Sequence, residues 1–310
     1  MKVHFFQIKM MERIVIQRFL IVIIGFILVV FYFAIPLTSE NKPNELNMHA
    51  LLIGGGTAAF DNYDHFYKNI EYVASSLKQI GYNDKYVKIL FYGGKFSNYP
   101  LVSANATRTN VIAELRRYEK ILDEKDSLLI FRSGHGIIEL VFDKCSILTI
   151  NEKATEKVIK KVIGTAAVMK FPDGSLSYLQ FQEILERIKA KQIIVILNQC
   201  YSGQFTEIAT NVDNTVIVSE TDEVGIAFYN KRKTKRWKHR VWPFVKCMFD
   251  GFLSAKYVGQ RKSVIAAFEY MLLCNPNIEG IPVKSDRPLL KEVPQIKYGR
   301  ALTKGAVYIE

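Results

Sequence analysis

Phe131-Arg-Ser-Gly-His-Gly136 and Asn198-Gln-Cys-Tyr-Ser-Gly203 each follow an apolar run, and between them they hold a thiol and an imidazole. A thiol with a free pKa near 8.5 is only a few per cent thiolate at neutral pH, and a histidine beside it accepts the proton or stabilises the thiolate as imidazolium. Cys200 and His135 thus suit nucleophile and base in acyl transfer, with no metal required. Gly136 lets backbone approach a substrate closely, and its N–H together with that of Cys200 can hold a developing oxyanion. Taken singly, Cys200 also reads as a small buried hydrophobe and His135 as a structural loop histidine; the two motifs together carry the chemistry.

Other chemistries find little support. Gly54-Gly-Gly-Thr57 lacks the Gly-Lys-Ser/Thr of a phosphate-binding loop and the spacing of a dinucleotide site. There is no G-x-S-x-G elbow and no H-E-x-x-H. His49, His65 and His239 share no metal-ligand spacing with the cysteines, so neither metal nor cofactor is assigned. The four cysteines, Cys145, Cys200, Cys247 and Cys274, have no C-x-x-C spacing and allow one disulfide at most. Asn105-Ala-Thr107 fits a glycosylation acceptor, which matters only on a eukaryotic secretory route.

Both motifs need a scaffold that brings them together. Apolar runs at Ala50 to Ile53, Tyr86 to Phe91, Ser127 to Phe131, Ile193 to Leu197 and Thr215 to Val218 read as strands of a largely parallel sheet. Phe66, Ile70, Val73, Leu77 and Ile80 recur at helical spacing, and Gly81 stops the pattern. Val111, Leu115, Tyr118 and Leu122 mark a second crossover helix; Ser177 and Gln180 open a third in capping-box relation. Residues 137 to 175 interrupt this rhythm and contain a Pro172-Asp-Gly turn, which predicts a hairpin-bearing insertion. Helices are expected from Trp242 to Leu253 and Ser263 to Leu273. In open α/β sheets, groups just past adjacent strand ends converge at the carboxyl edge.

The 310 residues, 49% hydrophobic, supply one substantial domain behind an N-terminal tail. Lys2, Lys9, Arg13 and Arg18 precede an uncharged run from Phe19 to Ile35. At about 1.5 Å per residue that run covers roughly 25 Å, somewhat short of a ~30 Å hydrocarbon core, which Arg18 snorkelling and Pro36-Leu37 help to bridge. A cleaved signal is the alternative, but the run is long for one and lacks an A-x-A site. The basic flank keeps the N-terminus in the cytoplasm and the folded domain outside it. The formal charge of +12 includes the run Lys231-Arg-Lys-Thr-Lys-Arg-Trp-Lys-His-Arg240, which suits an anionic surface or is simply a solvated loop. No nucleic-acid motif accompanies it.

Ser133-Gly-His-Gly136 and Cys200-Tyr-Ser-Gly203 resemble the signatures of legumain and caspase-like cysteine peptidases, and the likeness extends from about His49 to about Ile296. The resemblance implies a caspase-like three-layer α/β sandwich, a mainly parallel sheet flanked by helices, which joins the one N-terminal transmembrane helix expected from the uncharged run. With the charge and hydropathy of the N-terminus, the expected division is a cytoplasmic tail (1–18), a signal anchor (19–37), a linker (38–48) and, by the resemblance, a cysteine peptidase domain (49–310). The resemblance further implies that Asp64, His65, Asn198, Ser219 and Glu220 bind substrate. Asn198 stands where the family usually has Asp or Glu, and Asp64 stands where legumains carry an arginine. An acidic S1 pocket would favour Lys or Arg at P1 and make the basic run a self-cleavage site. Asp64 also reads as a helix N-cap, and Glu220 with Asp222 as a solvated turn. The expected function is a membrane-anchored cysteine endopeptidase acting on peptides or proteins, with oligomeric state open. The alternatives are a transamidase of the same fold and an inactive membrane-tethered binding domain, which Asn198 keeps open.

Overall fold

The computed structural model describes residues 47–58, 64–92, 102–142, 146–148, 157–159, 162–227, 241–254, 263–278, 292–302 and 307–309. The expected tail, membrane anchor and nearly all of the linker lie outside the described residues, as does the basic run at 231–240. No helix among the described residues is long and apolar enough to cross a membrane.

β1 (Asn47–Gly55) crosses through α1 (Asp64–Ile80) to β2 (Val87–Phe91), and then through α2 (Arg108–Ile121) to β3 (Asp126–Gly134). The insertion follows as β4 (Gly136–Phe142), β5 (Ser146–Leu148), β6 (Lys157–Ile159), β7 (Val162–Phe171) and β8 (Gly174–Ser177). The main sheet resumes with α3 (Tyr178–Leu185), β9 (Gln192–Asn198), the short α4 (Ile208–Asn211) and β10 (Thr215–Ser219). The chain then runs through α5 (Pro243–Leu253) and α6 (Val264–Cys274) to β11 (Gln295–Tyr298).

The six-stranded sheet has the order β11-β10-β9-β3-β1-β2. All its pairings are parallel except that of the edge strand β11 with β10. Its central strands are Val/Ile/Leu runs because both faces are covered, the usual composition of a parallel sheet under helices. Ala50 and Leu52 pack on one side with the apolar stripe of α1 and with α5 and α6. Leu51 and Ile53 pack on the other with α2, α3 and α4. The result is a helix–sheet–helix sandwich with two apolar cores.

The helices start where their side chains can satisfy the first turn. Thr107 Oγ1 accepts from Asn110 N at 3.1 Å, and Ser177 and Gln180 form the expected capping box. The strand expected from Tyr86 begins instead at Val87, because Asn83 Oδ1 accepts from Lys85 N at 3.1 Å and closes a 3-10 turn over Asp84–Tyr86. In the insertion, β4, β7 and β8 form an antiparallel sheet. At the Pro172-Asp-Gly turn, Asp173 accepts from the backbone N–H of Arg108 and Thr109, which pins the insertion to the positive end of α2. A disulfide between Cys247 and Cys274, with Cα atoms 5.6 Å apart, joins α5 to α6.

Candidate active site

The register of the two central strands sets the site. Ser133 on β3 lies opposite Asn198 on β9, so His135 and Cys200 each stand two residues beyond one shared rung. Both line a single cleft of about 180 Å³. Gly134, Asn198 and Gln199 come from the same strand ends, His65 and Phe66 from α1, and Ala227 and Trp242 from two later segments. A Cβ on Gly136 would stand 2.2 Å from the Cys200 carbonyl oxygen, so any side chain there would push the two strand ends apart.

Past Cys200 the backbone turns sharply, and Tyr201 takes the left-handed conformation with φ 56°. For a non-glycine residue this costs energy that neighbouring contacts must hold in place. Three contacts to the loop after β10 do so. Tyr201 N donates to Gly225 O at 2.8 Å, Ser202 N donates to Thr221 Oγ1 at 3.2 Å, and Gly203 N donates to Asp222 O at 3.3 Å. A Cβ on Gly203 would lie 2.3 Å from the Asp222 carbonyl carbon, which explains the glycine in the Ser-Gly pair. The motif after Cys200 is thus a clamp between two strand-end loops.

His135 is held from below through its backbone. Its carbonyl accepts from Lys170 N at 3.0 Å and from Arg132 Nη2 at 3.4 Å, while the ring stands edge-on to Phe66 with centroids 5.1 Å apart. Arg132 is 1% exposed, lies over the Phe171 ring and donates to Lys170 O at 2.7 Å. Burial pulls its pKa down to about 9.

The Cys200 thiol is half-buried and donates to Ala227 O at 3.8 Å. Burial pushes its pKa up, and the Glu292 charge adds to it. His65 is driven down to about 4, chiefly by burial, then by His135, against the pull of Asp64. It is therefore a neutral ring at neutral pH, tilted against Trp242 at 4.7 Å.

No family model matches the chain, and no curated protein matches it.

Of the residues expected from sequence, His135, Cys200, His65 and Asn198 come together in the cleft, and Gly136 abuts Cys200. Asp64, Ser219 and Glu220 are not among its lining residues. Asp64 opens α1, in whose first turn it is the acidic residue. Ser219 and Glu220 are fully buried at the end of β10.

Behind Asn198 runs a buried polar chain that sequence reasoning missed. Asn69 Nδ2 donates to Ser133 Oγ and to Asn198 Oδ1, each at 2.9 Å, and Asn69 Oδ1 accepts from Trp242 N at 2.8 Å. Ser133 Oγ donates to Asn198 Oδ1 at 2.7 Å. Asn198 Nδ2 donates to Glu220 Oε2 at 2.6 Å, and the Glu220 carboxyl faces the charge of Glu292. Asn275 and Asn277 Nδ2 each donate to Glu292 at 2.8 Å. A buried carboxyl next to a second negative charge holds its proton more tightly. The Glu220 pKa is accordingly raised well above normal, first by burial and then by Glu292.

Asn69 had a signal, being a polar residue on the otherwise apolar face of Phe66, Ile70 and Val73. Trp242 was read only as the start of a helix. Gln199 stood inside the motif with no role attached to it. Glu292, beyond the last expected helix, had no signal. Among the described residues no group of three His, Cys, Asp or Glu is arranged to hold a metal ion.

Proposed function

We propose that this chain is a membrane-anchored cysteine endopeptidase of caspase-like fold, working through Cys200 and His135. One observation carries the reading: the thiol and the imidazole line the same cleft, at the carboxyl ends of adjacent strands held in register. The strand order β2-β1-β3-β9-β10 with an antiparallel edge supports the fold assignment.

In this mechanism the Cys200 proton passes to His135 as Sγ bonds to the scissile carbonyl carbon, and the carbonyl electron pair moves to oxygen. Backbone N–H groups of Gly136 and Cys200 hold that oxyanion. The C–N bond then breaks as His135 returns the proton to the leaving amine. Water, deprotonated by His135, adds to the thioester and expels the Cys200 thiolate. The raised thiol pKa fits a nucleophile that ionises only as the histidine takes its proton.

His65, Trp242 and Asn198 would receive the P1 side chain. No Asp, Glu, Lys or Arg lines the cleft, so charge discrimination at P1 would come from the carboxyl pair behind Asn198. Its net negative charge supports a preference for Lys or Arg. The disulfide joining α5 and α6 supports an oxidising, extracytoplasmic compartment for the domain, with residues 19–37 as the anchor. Self-cleavage within residues 231–240 follows from the same P1 preference.

Thiol-directed peptide electrophiles with Arg, Asn or Asp at P1 test this reading on the wild type, Cys200→Ala and His135→Ala. Labelling of the wild type alone, fastest with Arg, is expected. Labelling that persists without Cys200, or none with any probe, would overturn it.

A further inference from the structure

Gln199 precedes the nucleophile, lines the cleft and is 1% exposed. Neither Nε2 nor Oε1 of its carboxamide has a hydrogen-bond partner. Its neighbours differ, because Asn69 and Asn198 have both ends of their amides engaged. A carboxamide offers two donor hydrogens and an acceptor, and burying them unmet is unfavourable enough that such groups mark places where something else completes the bonding.

The location says what that something is. Nε2 lies 2.9 Å from where a Cβ would stand on Gly136, the same point that is 2.2 Å from the Cys200 carbonyl oxygen. The unmet amide therefore sits beside Gly136 and Cys200, the two residues assigned above to hold the oxyanion through their backbone N–H groups. The terminal torsion of a glutamine is broad, so the carboxamide turns toward the cleft without moving the backbone that carries Cys200.

We propose that Gln199 is a catalytic residue, its Nε2–H supplying a third donor, beside the N–H groups of Gly136 and Cys200, to the oxyanion formed on the scissile carbonyl. The inference rests on the peptidase reading above. A donor of this kind is worth most when negative charge has accumulated on the oxygen, so it accelerates the chemical step more than it tightens substrate binding.

The test uses the full chain in detergent, as wild type and as Gln199→Met, which keeps the length of the side chain and removes the donor. Gln199→Leu serves if the methionine variant does not fold. Fluorogenic tripeptides and the matching peptide aldehydes, with Arg, Lys, Asn or Asp at P1, report turnover and a tetrahedral adduct. Iodoacetamide alkylation of Cys200 reports the thiol without any oxyanion.

The expected result is a kcat lower by about 100-fold, KM within about twofold, and a comparable loss of aldehyde affinity, at an unchanged alkylation rate. Turnover and aldehyde affinity equal to wild type would overturn the proposal and leave the peptidase reading intact. A parallel fall in the alkylation rate would also overturn it, since the residue would then act through the thiol. A folded wild type that neither turns over any tripeptide nor binds any aldehyde removes both.

Discussion

Asn198 engages both ends of one carboxamide: its oxygen accepts from Asn69 and Ser133, and its nitrogen donates to Glu220. An acid at this position would lose the donor to Glu220 and stand as a further carboxyl beside the pair Glu220–Glu292. The neutral amide, at first sight a departure from the peptidase pattern, is what this set of neighbours requires. Asn198→Asp is therefore expected to lower stability by roughly 1–3 kcal/mol at neutral pH, the cost of a buried group left unsatisfied. Urea unfolding checks it, and an unshifted midpoint would mean that Glu220 finds another donor. Cys200 and His135 were legible in the sequence as a pair because the motifs around them are local: small residues where backbones meet, as at Gly136, and a clamped turn after Cys200. Asn69 was half-legible, a polar intruder on an apolar stripe. Glu292 was not legible, since its role comes from a contact with Glu220 across a long stretch of chain that no periodicity announces.

At the scale of elements, the strands were readable wherever burial on both faces leaves an unbroken apolar run, as at Ile193–Leu197 in β9, and the helices wherever an apolar stripe met a cap, as at Ser177. The edge strand β11 escaped notice because Gln295-Ile-Lys-Tyr298 is short and only half-buried on each residue. Its pairing depends on β10 rather than on its own composition. The cysteines could be counted but not paired, since spacing alone does not bring two helices side by side. Contact between α5 and α6 selects Cys247 with Cys274, closing a loop of sequence separation 27. Restricting an unfolded loop of that length is worth about 3.5 kcal/mol in the chain-entropy account. The double variant Cys247→Ala/Cys274→Ala should lose about that much in urea unfolding, and reductant should do to the wild type what it does not do to the variant. Equal midpoints with and without reductant would refute this. Because α5 begins directly after Trp242, a cleft residue, the same bond steadies one wall of the site.

Across the whole molecule, the buried polar chain runs from α1 through the ends of β3 and β9 to Glu220 after β10, whose carboxyl feels the charge of Glu292, held in turn by Asn275 and Asn277, so titrating groups far apart in sequence are coupled. That makes stability depend on pH with a definite sign. The folded-state pKa of Glu220 is raised above the unfolded value of about 4.3. Its contribution is thus complete below about pH 4.3 and is lost as pH climbs through the folded value, at up to about 1.4 kcal/mol per pH unit. His65 acts in the opposite direction: with its pKa lowered to about 4, the unfolded chain takes up a proton first as pH falls from about 6.5, and stability declines over that interval. Glu220→Gln separates the two. The new amide oxygen can still accept from Asn198, the side chain brings no charge toward Glu292, and His65 is untouched. The variant should match the wild type near pH 4 and become progressively the more stable of the two toward pH 8. Urea unfolding of both proteins across that range reads the difference directly. Parallel curves would mean that Glu220 does not hold its proton more tightly in the folded state, and that the negative charge behind Asn198, on which the basic P1 preference depends, has another origin.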